Sequence, residues 1–241
     1  MEKSNKQQKS SIEEIRDRFD QDVERFSNLD TGQQTIIDAP LSLELCTSAA
    51  FYVNKDAGAM LDIGCGAGNY TLKMLEKIPD LDCTLIDLSM SMLTRAQERV
   101  SAVTKGQVKI LQTDILQTEL PNSEYDIVLA AAVLHHLRTD TDWEQVFRNI
   151  YQSLKPGGSF WISDLIEHEP AAINQLFEER YARHLDDLGG PEYRQHVLDY
   201  IAKEDTPRSV SFQLRLLTKV GFSYTEVLHK NACFAAFGAV K

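Results

Sequence analysis

The sequence predicts an α/β protein: a doubly wound, seven-stranded, mostly parallel sheet that ends in an antiparallel hairpin and carries an N-terminal helix and a helical insertion. Three observations predict it. From Ala59 onward, short apolar runs alternate with longer stretches of helical periodicity, as strands alternate with crossover helices. The first apolar run ends in three alternate glycines, Gly64, Gly66 and Gly68, that open onto a helix. Near the end, the pattern becomes one helix and then two strands with only a short connection between them.

Residues 1–10 hold lysines, glutamines and serines with almost nothing apolar, and read as a flexible terminus. From Ser11, the residues Ile12, Ile15, Phe19, Val23 and Phe26 recur at helical spacing, and Ser11 with Glu14 forms a capping box. Residues 11–54 then form a helical cap on one domain that runs from 11 to 241. Strands are expected over 59–63, 83–86, 108–111, 127–133 and 159–163, with helices over 70–78, 91–103 and 143–154 between them. Lys155-Pro156-Gly157-Gly158 stops the last of these helices and turns the chain. Two helices follow in a row, 171–188 and 192–202, separated by Gly189-Gly190-Pro191, so residues 167–205 read as an insertion or lid. A helix over 208–219, stopped by Gly221, leads to strands over 223–228 and 232–240, joined by His229-Lys230-Asn231.

With 43% hydrophobic residues in 241, the chain is long enough to bury a core, which excludes disorder as its main state. Its formal charge of −11 argues against a partner held by phosphate neutralisation, so nucleic acid is not the expected ligand. No apolar run approaches the ~20 residues of a membrane-spanning helix, and the first residues lack the apolar stretch of a secretory signal. A cytoplasmic protein is expected. The four cysteines are dispersed and make no Cys-x-x-Cys pair, so neither a disulfide framework nor a metal site is expected.

The chemistry concentrates in Asp62-Ile63-Gly64-Cys65-Gly66-Ala67-Gly68-Asn69, an apolar strand running into a glycine turn and a helix. Glycines there let the backbone turn sharply and approach a ligand that a Cβ would exclude. A nicotinamide or flavin fingerprint needs Gly-x-Gly-x-x-Gly, whereas here the third glycine comes one residue early. Asp87 ends the next strand, where a carboxylate can accept from two ribose hydroxyls. Asp114 closes the third strand on the same edge, within reach of an adenine amine. Glycine turn and carboxylates together imply an adenosine-type ligand. His135 and His136 are adjacent and cannot share a helical face, so a metal pair is not expected; His135 is the candidate general base.

These pieces, with the Tyr125-Asp126-Ile127-Val128 strand, Leu134-His135-His136-Leu137, the Lys155-Pro156-Gly157-Gly158 turn and the terminal hairpin, resemble in order the class I S-adenosylmethionine-dependent methyltransferases, whose fold is Rossmann-like. The resemblance covers roughly residues 55–166 and 207–241. It implies S-adenosylmethionine as cofactor and S-adenosylhomocysteine as product. It places the methionine portion against Gly64, Cys65, Gly66 and Gly68, with Asp62 orienting the loop and Ala130 and Ala131 facing the methyl end. It gives Asp87 to the ribose, Asp114 to the adenine with Leu88 and Met92 flanking it, and counts Ile115 among the cofactor-binding residues. It makes His136 a packing residue.

The acceptor is expected to be a small molecule. Ala130-Ala131-Ala132-Val133 lacks the Asn-Pro-Pro-aromatic sequence that some amino-directed members carry. The insertion, with ten acidic and four basic residues, suits a neutral or cationic acceptor, although Arg180, Arg183 and Arg194 offer grips for a carboxylate. A narrower resemblance, through Arg18-Phe19-Asp20 and Lys219-Val220-Gly221-Phe222, is to the bacterial enzymes of transfer-RNA wobble-uridine oxyacetylation, including carboxy-S-adenosylmethionine synthase. In that synthase the first turn departs from Gly-x-Gly-x-Gly, and this chain keeps all three glycines. The alternatives are therefore a transfer-RNA-modifying enzyme and a non-catalytic binder of the cofactor. The amphipathic N-terminal helix and the insertion also offer surfaces for a homodimer.

Overall fold

The computed structural model describes residues 9–28 and 33–241. Seven strands, β1 (Ala59–Ile63), β2 (Asp82–Asp87), β3 (Val108–Gln112), β4 (Tyr125–Ala131), β5 (Leu154–Leu165), β6 (Tyr224–Asn231) and β7 (Phe234–Val240), form one sheet in the order β3-β2-β1-β4-β5-β7-β6. The first five are parallel, and β7 runs antiparallel between β5 and β6. The strand order reverses between β1 and β4, which opens a crevice beyond the carboxyl ends of those strands.

The helices α1 (Ile12–Gln21), α2 (Val23–Ser27), α3 (Ala39–Val53), α4 (Asn69–Leu75), α5 (Met90–Ser101), α6 (Asp140–Ser153), α7 (Ala171–Glu204) and α8 (Val210–Val220) surround the sheet. Successive residues of a strand face opposite ways, so β1 feeds two cores. Leu61 and Ile63 join Trp143, Phe147 and Ile150 of α6 and Leu217 of α8. Met60 joins Leu43 and Cys46 of α3, Met74 of α4 and Leu93 of α5. Burying each such large side chain stabilises the fold by about 1.5–3 kcal/mol. A third cluster docks Tyr181 and Leu185 of α7 against Leu165 and Phe234. All four cysteines are buried and unpaired.

Several expected boundaries shift, each for a local reason. β4 stops at Ala131 rather than continuing to Val133, because Ala132 adopts φ 52°, which no strand tolerates. β5 begins early: Leu154 pairs with Tyr125, residues 155–158 bulge out with Gly157 at φ 76°, and pairing resumes at Ser159 opposite Ile127. The hairpin turn is Ala232-Cys233, since Asn231 already pairs with Phe234. His229 and Asn231 therefore lie in β6, where Nε2 and Nδ2 respectively sit 2.8 Å from Asp38 Oδ2. The two helices expected over 171–202 are present: the span labelled α7 is two helices that meet at a kink at Gly190, where φ is 81°, within the Gly-Gly-Pro separator.

The Ser11–Glu14 capping box is present, but the expected N-terminal stripe is split at Asp22 into α1 and α2. Of the expected flexible terminus, residues 1–8 lie outside the described residues. Lys9 and Ser10 are docked: Lys9 Nζ donates to the carbonyls of Ala202 and Asp205, and Ser10 Oγ to Glu204 Oε1 at 2.6 Å. The inner face of α1 is thus spent within the chain, while α7 leaves Ile173, Leu176 and Leu188 exposed. Among the described residues, no helix is long and apolar enough to cross a membrane.

Candidate active site

A cavity of about 250 Å³ lies at the carboxyl ends of β1, β2 and β4 and is roofed by Ile12, Ile15, Phe19 and Phe26 of α1 and α2. Its floor is the glycine turn. Gly64, Gly66 and Gly68 all take positive φ, at 64°, 51° and 84°, but for different purposes. A Cβ on Gly64 would stand 2.5 Å from Val133 Cγ2, so backbone and side chain meet there without room for more. A Cβ on Gly66 would meet nothing within 4 Å; it would project into the open space of the cavity. Gly68 precedes α4 and packs on Ala96 and Val100 of α5, and it does not line the cavity.

Two carboxylates brace the turn. Asp62, 1% exposed, accepts from Thr71 Oγ1 at 2.6 Å, linking β1 to α4. Burial pushes its carboxyl up to about 7, although the Thr71 hydrogen bonds pull the other way. Asp87 accepts from the backbone N–H of Gly66 at Oδ2 and of Ser89 at Oδ1, both at 2.9 Å. Its surroundings raise the carboxyl above its ordinary value, mainly by desolvation and against those hydrogen bonds. An ionised carboxylate has about four acceptor positions, so two remain for hydroxyls from the cavity. Asp114 accepts from Leu116 N–H at 2.9 Å and reaches the same cavity from the loop after β3.

Of the residues singled out from sequence, Asp62, Gly64, Cys65, Gly66, Asp87, Leu88, Met92, Asp114, Ile115 and Ala131 line this one cavity. Three do not. Gly68 packs on α5, and Ala130, 1% exposed, points into the core shared with α6. His135 turns away: its Nδ1 lies 2.5 Å from Asp164 Oδ1, and its backbone N–H donates to Asp164 Oδ2. Burial opposes its charged form, but Asp164 and Asp205 outweigh that and raise its pKa to about 9. His135, the candidate general base, thus does not line the cavity; the histidine at the cavity wall is His136. None of Arg180, Arg183 and Arg194 lines the cavity either, and Arg194 is paired with Asp186 at 2.6 Å across the α7 break.

The roof was beyond sequence reasoning. Ile12, Ile15, Phe19 and Phe26 read only as an amphipathic stripe, and nothing local tells which surface such a stripe covers. Asp20 and Glu24 on the outer side of α1 and α2 pin the roof to α5: Asp20 Oδ1 accepts from Ser89 Oγ at 2.5 Å, and Glu24 pairs with Arg95. Arg138 is the one lysine or arginine lining the cavity among the described residues, and its Nη1 donates to the carbonyl of Glu204.

A family described as methyltransferase domain matches residues 60–158. The carboxy-S-adenosyl-L-methionine synthase of Shewanella sp. (strain MR-7) is 31% identical over 190 residues, covering 75% of this chain and 74% of the relative. The same-named protein of Shewanella baltica (strain OS223) is 32% identical over the same shares. Among solved structures, the chain resembles human N-acetylserotonin methyltransferase in complex with SAM, with TM-score 0.62, 20% identity, and coverage of 95% of this chain and 57% of that one. It also resembles DhpI in complex with SAH, with TM-score 0.63, 19% identity and 95% of each chain covered. At these identities the structural matches establish the fold, and the chain spans little more than half of the human enzyme.

Proposed function

The chain belongs to the class I S-adenosylmethionine-dependent methyltransferases, and from that premise we propose that it methylates a small, largely apolar acceptor bound beneath α1 and α2. The cofactor supplies a methyl group on a cationic sulfonium with a neutral thioether as leaving group. What remains for the protein is to bind, orient and exclude water, and proximity alone can supply much of the rate.

The observation that carries this reading is the Gly66 N–H bond to Asp87 Oδ2, which joins the glycine turn and the β2 carboxylate into one rigid edge. These residues suit an adenosyl ligand. Gly66 leaves open the space a Cβ would fill, and Asp87 keeps acceptor capacity for two ribose hydroxyls. In this reading Asp114 accepts from the adenine amine, with Leu88, Met92 and Ile115 against its ring. Gly64, Cys65, Gly66 and Ala131 line the methionine end, and Asp62 holds the turn through Thr71. Gly68 acts through packing.

Ile12, Ile15, Phe19 and Phe26 make the acceptor wall apolar, and a chain of net charge −11 repels polyanions such as transfer RNA. A second reading follows from the 31% identity to carboxy-S-adenosyl-L-methionine synthases. There the cavity would handle a carboxylated cofactor, with Arg138 as its cationic partner. Calorimetric titration with S-adenosylmethionine, S-adenosylhomocysteine and NAD, then mass spectrometry after incubation with a panel of phenols, amines and carboxylic acids, separates the two. A methylated acceptor together with S-adenosylhomocysteine supports the first reading. Recovery of a cofactor carrying an added carboxyl group establishes the second, and binding of NAD alone sinks both.

A further inference from the structure

We propose that His135, His136 and Asp205 form a binding site for a divalent first-row transition-metal ion at the edge of the cavity. His135 Nε2 lies 3.7 Å and His136 Nδ1 3.3 Å from Asp205 Oδ1, and all three ligand atoms lie within 4.8 Å of one another. Metal–ligand arms of about 2.1 Å in tetrahedral array hold their donor atoms roughly 3.4 Å apart, so the two separations to Asp205 already match, and the histidine pair closes on one ion by a shift of at most about 1.4 Å.

Three further observations point to an ion rather than to packing. His136 Nδ1 and Asp205 Oδ1 are both buried, face each other at 3.3 Å and have no other hydrogen-bond partner, an arrangement that a cation between them would satisfy. Asp205 is 6% exposed, and the nearby lysine and arginine serve other atoms, Lys9 Nζ the carbonyl of Asp205 and Arg138 the carbonyl of Glu204, so the charged group facing its carboxylate is His135, whose Nε2 proton an ion would replace. Finally, His135 has its other ring nitrogen on the carboxylate of Asp164, 3% exposed. A carboxylate behind a ligating histidine fixes the tautomer that presents the free nitrogen to a metal.

Two adjacent histidines cannot share one helical face, and no shared face is needed here. The two histidines instead sit on a single 3₁₀ turn, Leu134–His136, with ring centroids 4.4 Å apart, and the third donor arrives from the residue after α7. Two imidazoles and one carboxylate select zinc, iron, cobalt or manganese over calcium or magnesium, which prefer oxygen ligands throughout. Three protein ligands leave at least one position open. The binding of such an ion does not rest on the methyl-transfer reading.

The test is titration of the purified, chelator-treated full chain with cobalt(II), cofactor omitted. The expected result is one ion per chain, a visible d–d band without thiolate charge transfer, and a higher Tm. His136→Ala and Asp205→Asn should each weaken binding by roughly 10-fold or more. Circular dichroism confirms that the variants are folded, and the wild-type titration decides the matter if they are not. A wild-type chain without a visible band at millimolar cobalt, or binding that neither folded variant weakens, overturns the site. Calorimetry with S-adenosylmethionine, read separately, keeps that outcome distinct from failure of the methyl-transfer reading.

Discussion

The backbone N–H of Gly66 donates to Oδ2 of Asp87 at 2.9 Å, so the turn after β1 and the carboxylate ending β2 are one unit. Asp87→Ala should therefore do two kinds of damage: it removes the acceptor proposed for the ribose and frees a backbone donor at the turn. Calorimetry should show S-adenosylmethionine binding weakened by about 1–3 kcal/mol. An unchanged Kd would place the ribose elsewhere.

Gly64 and Gly66 predict opposite consequences of the same substitution. Gly64→Ala drives a methyl group to 2.5 Å from Val133 Cγ2 at φ 64°, so it should cost stability by about 2–4 kcal/mol, overpacking added to backbone strain. Gly66→Ala meets no protein atom, so its stability cost is the backbone strain of about 1–2 kcal/mol. Its methyl group intrudes into the cavity and should abolish most cofactor binding. Thermal melts and cofactor titrations on both variants distinguish a packing glycine from a ligand-facing one.

Asp62 predicts a stability that falls as pH rises. Unfolded, its carboxyl loses its proton near 3.8; folded, burial keeps the proton on to about 7. Between those values the folded state binds more protons, so the contribution is fully present below about 4 and is lost as pH rises towards 7. A difference of about three pKa units corresponds to on the order of 4 kcal/mol. Asp62→Asn, neutral at every pH, should flatten the Tm profile between about pH 4 and 7 relative to wild type. Parallel profiles for the two proteins would refute the assignment.

Glu204 predicts how the roof is held. Its side chain is fully buried, accepts from Ser10 Oγ at 2.6 Å, and pairs with Arg18 of α1 at 3.1 Å. Arg18→Ala leaves that carboxylate without its cation and should cost about 1–3 kcal/mol, less than a fully buried pair because Arg18 keeps 31% exposure. Loosening α1 should also speed release of S-adenosylhomocysteine, measured by stopped flow. An unchanged release rate would mean that the roof does not gate the cavity.

The alternating strand and helix pattern, the glycine turn and the carboxylates at two strand tips were legible because each is written within a few neighbouring residues. Periodicity records which face is buried, and glycine at a strand end records a backbone that must turn. Asp62, Asp87 and Asp114 could be placed at one sheet edge for the same reason, since parallel strands joined by crossovers bring their carboxyl ends together.

Direction was not legible. Ala130 and Ala131 differ only in which side of β4 they occupy, and a strand that starts at Tyr125 with an irregular register settles that through pairing with β5. His135 and His136 differ by one step of a 3₁₀ turn, and what separates them is Asp164 and Asp205, contributed by β5 and by the end of α7. The sequence by itself determined the α/β class, the order of its elements and the turn that suits an adenosyl ligand. Only the tertiary structure decided that α1 and α2 roof the cavity, that His136 rather than His135 borders it, and that Asp205 joins the two histidines. The reason is physical: periodicity and turn chemistry act between near neighbours, whereas a roof and a three-residue cluster exist only once remote segments pack together.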